Sequence, residues 1–198
     1  MQFLRKLRLI APILLFALAA AAQQPATPKS SPPTGIDNDF IQKQFGDTCT
    51  LVPAPPPLKA DLDGDGIEDI VIVARCRNPL PDQAEYNFKV VDPYNTYFGF
   101  GDPKVTTQFA TEDPNRRGVS LLIIHGTGPE AWRAATPKAK FLIINLPFKQ
   151  LATKKMMVHK KSVMAIYAEE AHEGQGAISA LYWDGKKYRY QPMGMSME

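Results

Sequence analysis

Asp61-Leu62-Asp63-Gly64-Asp65-Gly66-Ile67-Glu68-Asp69, followed without a break by Ile70-Val71-Ile72-Val73, is the stretch on which the reading of this chain turns. Aspartates stand at its first, third, fifth and ninth places, glycines lie between them, and an apolar run rich in β-branched residues follows at once. Calcium takes roughly six to eight oxygen ligands at about 2.3–2.6 Å, and a short loop supplies them only by curling around the ion. In such a loop the side chains at the first, third and fifth places point inward. A glycine at the sixth allows the bend, and the seventh offers its carbonyl. That assigns Asp61, Asp63 and Asp65 as carboxylate ligands, Gly66 as the bend and the Ile67 carbonyl as a further oxygen. Asp69 closes the shell, directly or through water. A flexible all-oxygen loop suits Ca2+ better than magnesium, which demands a tighter octahedron. The competing reading is a plain Asp-Gly turn between two strands. Without a cation, however, the clustered carboxylates repel one another.

The surroundings of the loop narrow the choice of calcium motif. An EF-hand places a bidentate glutamate at the twelfth position between two helices, whereas the twelfth position here is Ile72, inside a strand-like run. A dockerin repeats its loop, and the chain holds one copy. The segment from Ala60 to Ile72 instead resembles the loop-plus-strand signature of FG-GAP/VCBS repeats, the calcium-carrying blades of integrin-type β-propellers and of many exported bacterial proteins. The resemblance implies non-catalytic, calcium-stabilised β-structure. With a single motif, it implies an isolated FG-GAP-like unit within a small β-rich domain.

The N-terminus reads as an export signal. Arg5, Lys6 and Arg8 give residues 1–22 a positive start, Leu9 to Ala19 is apolar, and Ala20 and Ala22 supply the small residues of a cleavage site. The apolar stretch is short for a bilayer and contains Pro12, so a transmembrane anchor is disfavoured. The expected location is secreted or periplasmic, with no anchor after cleavage. The whole chain is +3, from 23 basic and 20 acidic residues, and the leader holds three of the basic ones, so the remainder is 20 against 20. A nucleic-acid footprint needs clustered excess positive charge and gains little support from that balance. Residues 23–36, rich in Pro, Ser, Thr and Gln, read as a flexible tether. Residues 37–198 fit one domain with a substantial core.

Cys49 and Cys76 are the only two cysteines and flank the loop and its strand. In an exported chain they are expected to pair as a disulfide, with two buried thiols as the alternative.

Along the rest of the chain, Asp37 to Phe45 reads as a short helix, capped by Asp37 or Asn38 and buried through Phe40, Ile41 and Phe45. Cys49 to Val52 reads as a strand, and Pro53 to Pro57 as an extended edge connector. Tyr86 to Val91 alternates as a strand does, while Tyr94 to Phe100 is aromatic and turn-rich. Val119 to Ile124 and Phe141 to Leu146 are continuous apolar runs of buried-strand length. Ser162 to Ala168 is a further strand. Ala177 to Trp183 and Lys186 to Tyr190 flank Asp184-Gly185, a strong hairpin signal. The fold class is therefore mainly β, a small antiparallel β-rich domain with one short N-terminal helix.

No complete catalytic set emerges. His125-Gly126-Thr127-Gly128 after an apolar strand resembles the His-Gly oxyanion element of α/β-hydrolases, but the Gly-x-Ser-x-Gly elbow of that fold is missing. Glu169, Glu170, His172 and Glu173 lack the second histidine of a helical zinc pair and read as a solvated loop. Lys154, Lys155, Lys160 and Lys161 read as a solvated turn face, with contact to an anionic surface as the alternative. The expected role is a non-enzymatic structural or interaction module, with an envelope or extracellular protein as the expected partner. The rival readings are a secreted hydrolase using His125 and a ligand binder or inhibitor using the aromatics from Tyr94 to Phe100.

Overall fold

The computed structural model describes residues 35–99, 113–146, 148–171 and 176–195. The leader, the tether except for its last two positions, Phe100, His172 and Glu173 lie outside these residues.

Helix α1 (Asn38–Phe45) begins where Asp37 accepts a 2.8 Å hydrogen bond from the Phe40 amide, as the sequence predicts for its cap. Gly46, at φ 87°, ends it. Six strands form the first sheet: β1 (Cys49–Leu51), β2 (Leu58–Ala60), β3 (Asp69–Cys76), β4 (Lys89–Val91), β5 (Val119–His125) and β6 (Ala139–Ile143). The order is β1-β3-β5-β6-β4. Strand β2 pairs with the start of β3, and β1 with its end, so two short strands share one edge. The prolines from Pro53 to Pro57 lie between them, where no ladder donor is needed. The β4–β6 pairing is parallel and the others in this sheet are antiparallel.

The second sheet is an antiparallel meander of β7 (Phe148–Val158), β8 (Lys161–Glu170), β9 (Ala177–Trp183) and β10 (Tyr188–Met195). The fold is mainly β, as expected.

The apolar runs at β3 and β5 are explained by burial on both faces of the first sheet. On one face Ile70, Ile72, Leu122 and Ile124 pack with Phe40, Ile41 and Phe45 of α1 and with Trp132. On the other, Val71, Val73, Leu121 and Ile123 meet Ile166, Leu181, Tyr188 and Tyr190 of the second sheet. The result is three layers: helix, sheet, sheet. Cys49 and Cys76 stand opposite each other across β1 and β3 and form the expected disulfide. Such a bond belongs to chains that fold under oxidising conditions.

Several local expectations are corrected. Tyr86 to Val91 is a strand only from Lys89. Ahead of it lies the short helix α2 (Asp82–Glu85). The aromatic stretch is largely helical: α3 (Pro93–Phe98) is capped by Asp92, whose carboxylate accepts from the Asn95 amide at 2.8 Å. Glu169 and Glu170 are not in a solvated loop but end strand β8. Glu170 is buried and accepts a 2.6 Å hydrogen bond from the Tyr190 hydroxyl.

Candidate metal centre

The acidic stretch is the connection of the β2–β3 hairpin, with Ala60 paired to Asp69 at its base. Its shape comes from aspartates binding their own backbone. Asp61 accepts from the amides of Gly64 (2.8 Å), Asp65 (3.1 Å) and Gly66 (2.9 Å). Asp63 accepts from Asp65 at 3.3 Å, and Asp65 from Ile67 at 2.9 Å. These overlapping turns are the ordinary use of Asp in a tight bend. Gly66, at φ 85°, takes the left-handed conformation that the sixth position requires.

Carboxylate oxygens of Asp61, Asp63 and Asp65 come within 4.8 Å of one another. That spread is about twice a calcium–oxygen distance, so one ion of that size reaches all three. The donor set is hard and all-oxygen, and it fits Ca2+ with the Ile67 carbonyl as a neighbour in sequence.

Asp69 comes within 4.8 Å of Asp63, and both of its oxygens accept backbone hydrogen bonds. Its Oδ2 accepts from Leu62 (2.7 Å) and Asp63 (3.3 Å), and its Oδ1 from Gly126 (2.7 Å), with no exposed surface. The ninth-position carboxylate thus ties the loop to the end of β5. Burial pushes its pKa up to about 6, against the pull of those amides, and the charge of Asp63 adds to the rise. Gly126 must approach this closely: a Cβ there would lie 2.4 Å from the Glu68 carbonyl oxygen.

Lys138 supplies a positive charge that the motif alone does not reveal. Its Nζ lies 2.7 Å from Asp63 Oδ2 and 2.6 Å from Asp65 Oδ2. The Lys138 amide donates to the His125 carbonyl at 3.0 Å, which places the side chain beside the loop. Those two carboxylates hold the lysine charged to higher pH than usual, and the lysine in turn lowers the pKa of Asp65.

His125 is buried, with 1 % of its surface exposed. Its Nδ1 lies 3.3 Å from Asp63 Oδ2, and its Nε2 lies 2.7 Å from the Tyr188 hydroxyl. Burial lowers its pKa, the Asp63 charge opposing, so the ring is neutral near pH 7. A neutral ring facing a carboxylate through Nδ1 carries its proton there, and Nε2 accepts from Tyr188. Both nitrogens are engaged, and neither faces solvent. Asp63, Asp69 and His125 also come within 4.8 Å of one another, with Asp69 and His125 buried.

Comparison with protein-family models, curated proteins and solved structures finds no match.

Among the described residues no helix is long and apolar enough to cross a membrane. The aromatic stretch divides: Tyr94 packs edge-on against Tyr190 at 5.2 Å, while Tyr97 and Phe98 are 54 % and 46 % exposed. Lys138 and Tyr188 escaped the sequence reading because they lie 73 residues from Asp65 and 63 from His125. No spacing rule connects positions so far apart. Glu68, which accepts from Trp132 Nε1 at 3.0 Å, escaped for the same reason.

Proposed function

We propose that this chain is an exported, non-catalytic β module whose Asp61–Asp69 hairpin loop holds Ca2+, with a structural or protein-interaction role in the cell envelope. Asp61, Asp63 and Asp65 would hold the ion, with the Ile67 carbonyl. Asp69 acts one step back, fixing the loop to β3 and β5 through three backbone amides. The observation that carries the reading is the convergence of three carboxylates within reach of a single ion. Two of them already bind a cationic group, Lys138.

The ion's contribution is stability. An ion that binds the folded loop and not the unfolded chain stabilises by RT ln(1 + [L]/Kd), about 2.7 kcal/mol at a hundredfold excess over Kd. Export is supported by the positive, apolar leader and agrees with the disulfide. The non-catalytic reading is favoured over a hydrolase because His125 has both nitrogens engaged in the core.

The test is thermal unfolding of the protein in chelator and in millimolar calcium. Calcium should raise the midpoint, and Asp65→Ala should abolish the rise. An unchanged midpoint in the wild type rejects the reading. Exposed Tyr97 and Phe98 favour a second reading, a binding face for a protein or apolar ligand beside Tyr190. Loss of partner capture from envelope extract in a Tyr97→Ala, Phe98→Ala double variant would support it.

A further inference from the structure

We propose that the β7–β8 hairpin is a docking element for an anionic lipid surface. Strand β8 pairs with β9 from Ala165 to Glu169, whereas its pairing with β7 runs on to Lys161. The far end of the hairpin is therefore a two-stranded ribbon that projects beyond the third strand. Four residues per strand at about 3.3 Å each make a projection of roughly 13 Å.

The charge on this ribbon is one-sided. From Ala131 to Ala168 the chain contains no Asp or Glu and eight Lys or Arg. Lys155 and Lys161 stand on the projecting part, Lys160 in its turn and Lys154 at its base, and all four are exposed. None has a carboxylate partner among the described residues. The even overall balance of the chain past its leader hides this segregation, because the acidic residues concentrate on the N-terminal side. A near-neutral molecule thus carries a basic prong.

The turn at the tip supports a role beyond folding. Val158 pairs with Lys161, leaving His159 and Lys160 as a two-residue connection with φ of 46° and 67°. Turns of that kind favour Asn-Gly, since a left-handed residue with a Cβ costs about 1–2 kcal/mol. Here the left-handed places carry a histidine and a lysine instead, and such strain points to a functional site.

A bilayer fits this tip better than other polyanions. Met157, 66 % exposed, sits among the lysines, so an apolar group and several ammoniums share one narrow end. At an anionic interface the ammoniums meet headgroup phosphates while the thioether and lysine methylenes reach the acyl boundary. Single-stranded nucleic acid is held by bases stacked on aromatic side chains. The aromatic ring that a lysine of β7 touches is Tyr167, half-buried within the three-stranded part, with Lys154 Nζ 5.8 Å from its centroid.

The experiment uses protein expressed from the full chain with its own leader and mixed with sedimenting vesicles. One set is phosphatidylcholine alone and the other contains roughly one-third phosphatidylglycerol, which supplies the negative surface potential. The wild type should co-sediment with the anionic set, and binding should fall as salt rises. Lys154→Glu, Lys155→Glu, Lys160→Glu and Lys161→Glu combined should weaken partition at least about a hundredfold, since each lysine near such a surface contributes on the order of 1 kcal/mol. An unchanged thermal midpoint shows that the variant is folded. If it is not, the corresponding Gln variant should show the same loss. Met157→Ser should weaken the binding left at high salt. Binding equal in the two vesicle sets, or unchanged in the charge variants, overturns the proposal. Tighter retention on single-stranded oligonucleotide or on an acidic peptide than on anionic vesicles overturns it too.

Discussion

Lys138 Nζ lies 2.6 Å from Asp65 Oδ2, so an ammonium from the residue just before β6 reaches the carboxylate of a loop 73 residues earlier. The same ammonium touches Asp63. Any divalent ion held by Asp63 and Asp65 meets a fixed positive charge within its own ligand shell. That charge opposes a calcium ion at this site.

Lys138→Met should therefore tighten calcium binding, by about tenfold or ~1.4 kcal/mol. Titration calorimetry of the two proteins checks it. In chelator the variant should lose stability, because the substitution leaves the Asp63 carboxylate, only 3 % exposed, without its ammonium partner.

Asp69→Ala should destabilise far more. The substitution strips the acceptor from three backbone amides, two of them at 2.7 Å, in a place with no solvent access. Unsatisfied buried donors cost about 1–3 kcal/mol each, and part of this is recovered because burial already opposes the charge of Asp69. A net loss of roughly 3–4 kcal/mol is expected, read as a shift of the urea midpoint in chelator.

Lys140 gives the pH dependence. Burial lowers its pKa from 10.5 to about 8, while its Nζ donates to the Gln44 carbonyl at 2.6 Å. The unfolded chain therefore binds this proton more readily than the folded one. Stability should rise as pH climbs from about 8 to 10.5, and the penalty should be fully present below 8. Its size is on the order of 2 kcal/mol. Urea midpoints across that interval for the wild type and Lys140→Met, compared pairwise to cancel other groups, should converge toward the alkaline end.

Reducing the Cys49–Cys76 bond, with its sequence separation of 27, should cost about 3–4 kcal/mol on the chain-entropy estimate. A Cys49→Ala, Cys76→Ala double variant should show the same loss and no further response to reductant. Denaturation in the presence and absence of dithiothreitol measures both.

Much of this molecule is legible in its amino acids because the relevant forces act locally. The cap at Asp37, the turn chemistry of Asp61 to Gly66 and the hairpin at Asp184-Gly185 depend on residues only a few positions apart. Continuous apolar runs at β3 and β5 announce strands buried on both faces, whatever lies above and below them. Two lone cysteines in a chain read as exported also point to a disulfide, with two buried thiols as the alternative that the fold removes.

Only the tertiary structure decided what surrounds the acidic loop. Lys138, Gly126, His125 and Tyr188 reach it through strand pairing and sheet stacking, and contacts over such separations leave no periodic trace in the sequence. The same holds for Asp69, whose spacing marks a ligand but whose carboxylate the packed fold turns toward backbone amides. Nor could residue order show that Lys155 and Lys161 stand on a ribbon clear of the third strand. Local chemistry sets what each segment can become; long-range packing sets which charges face one another.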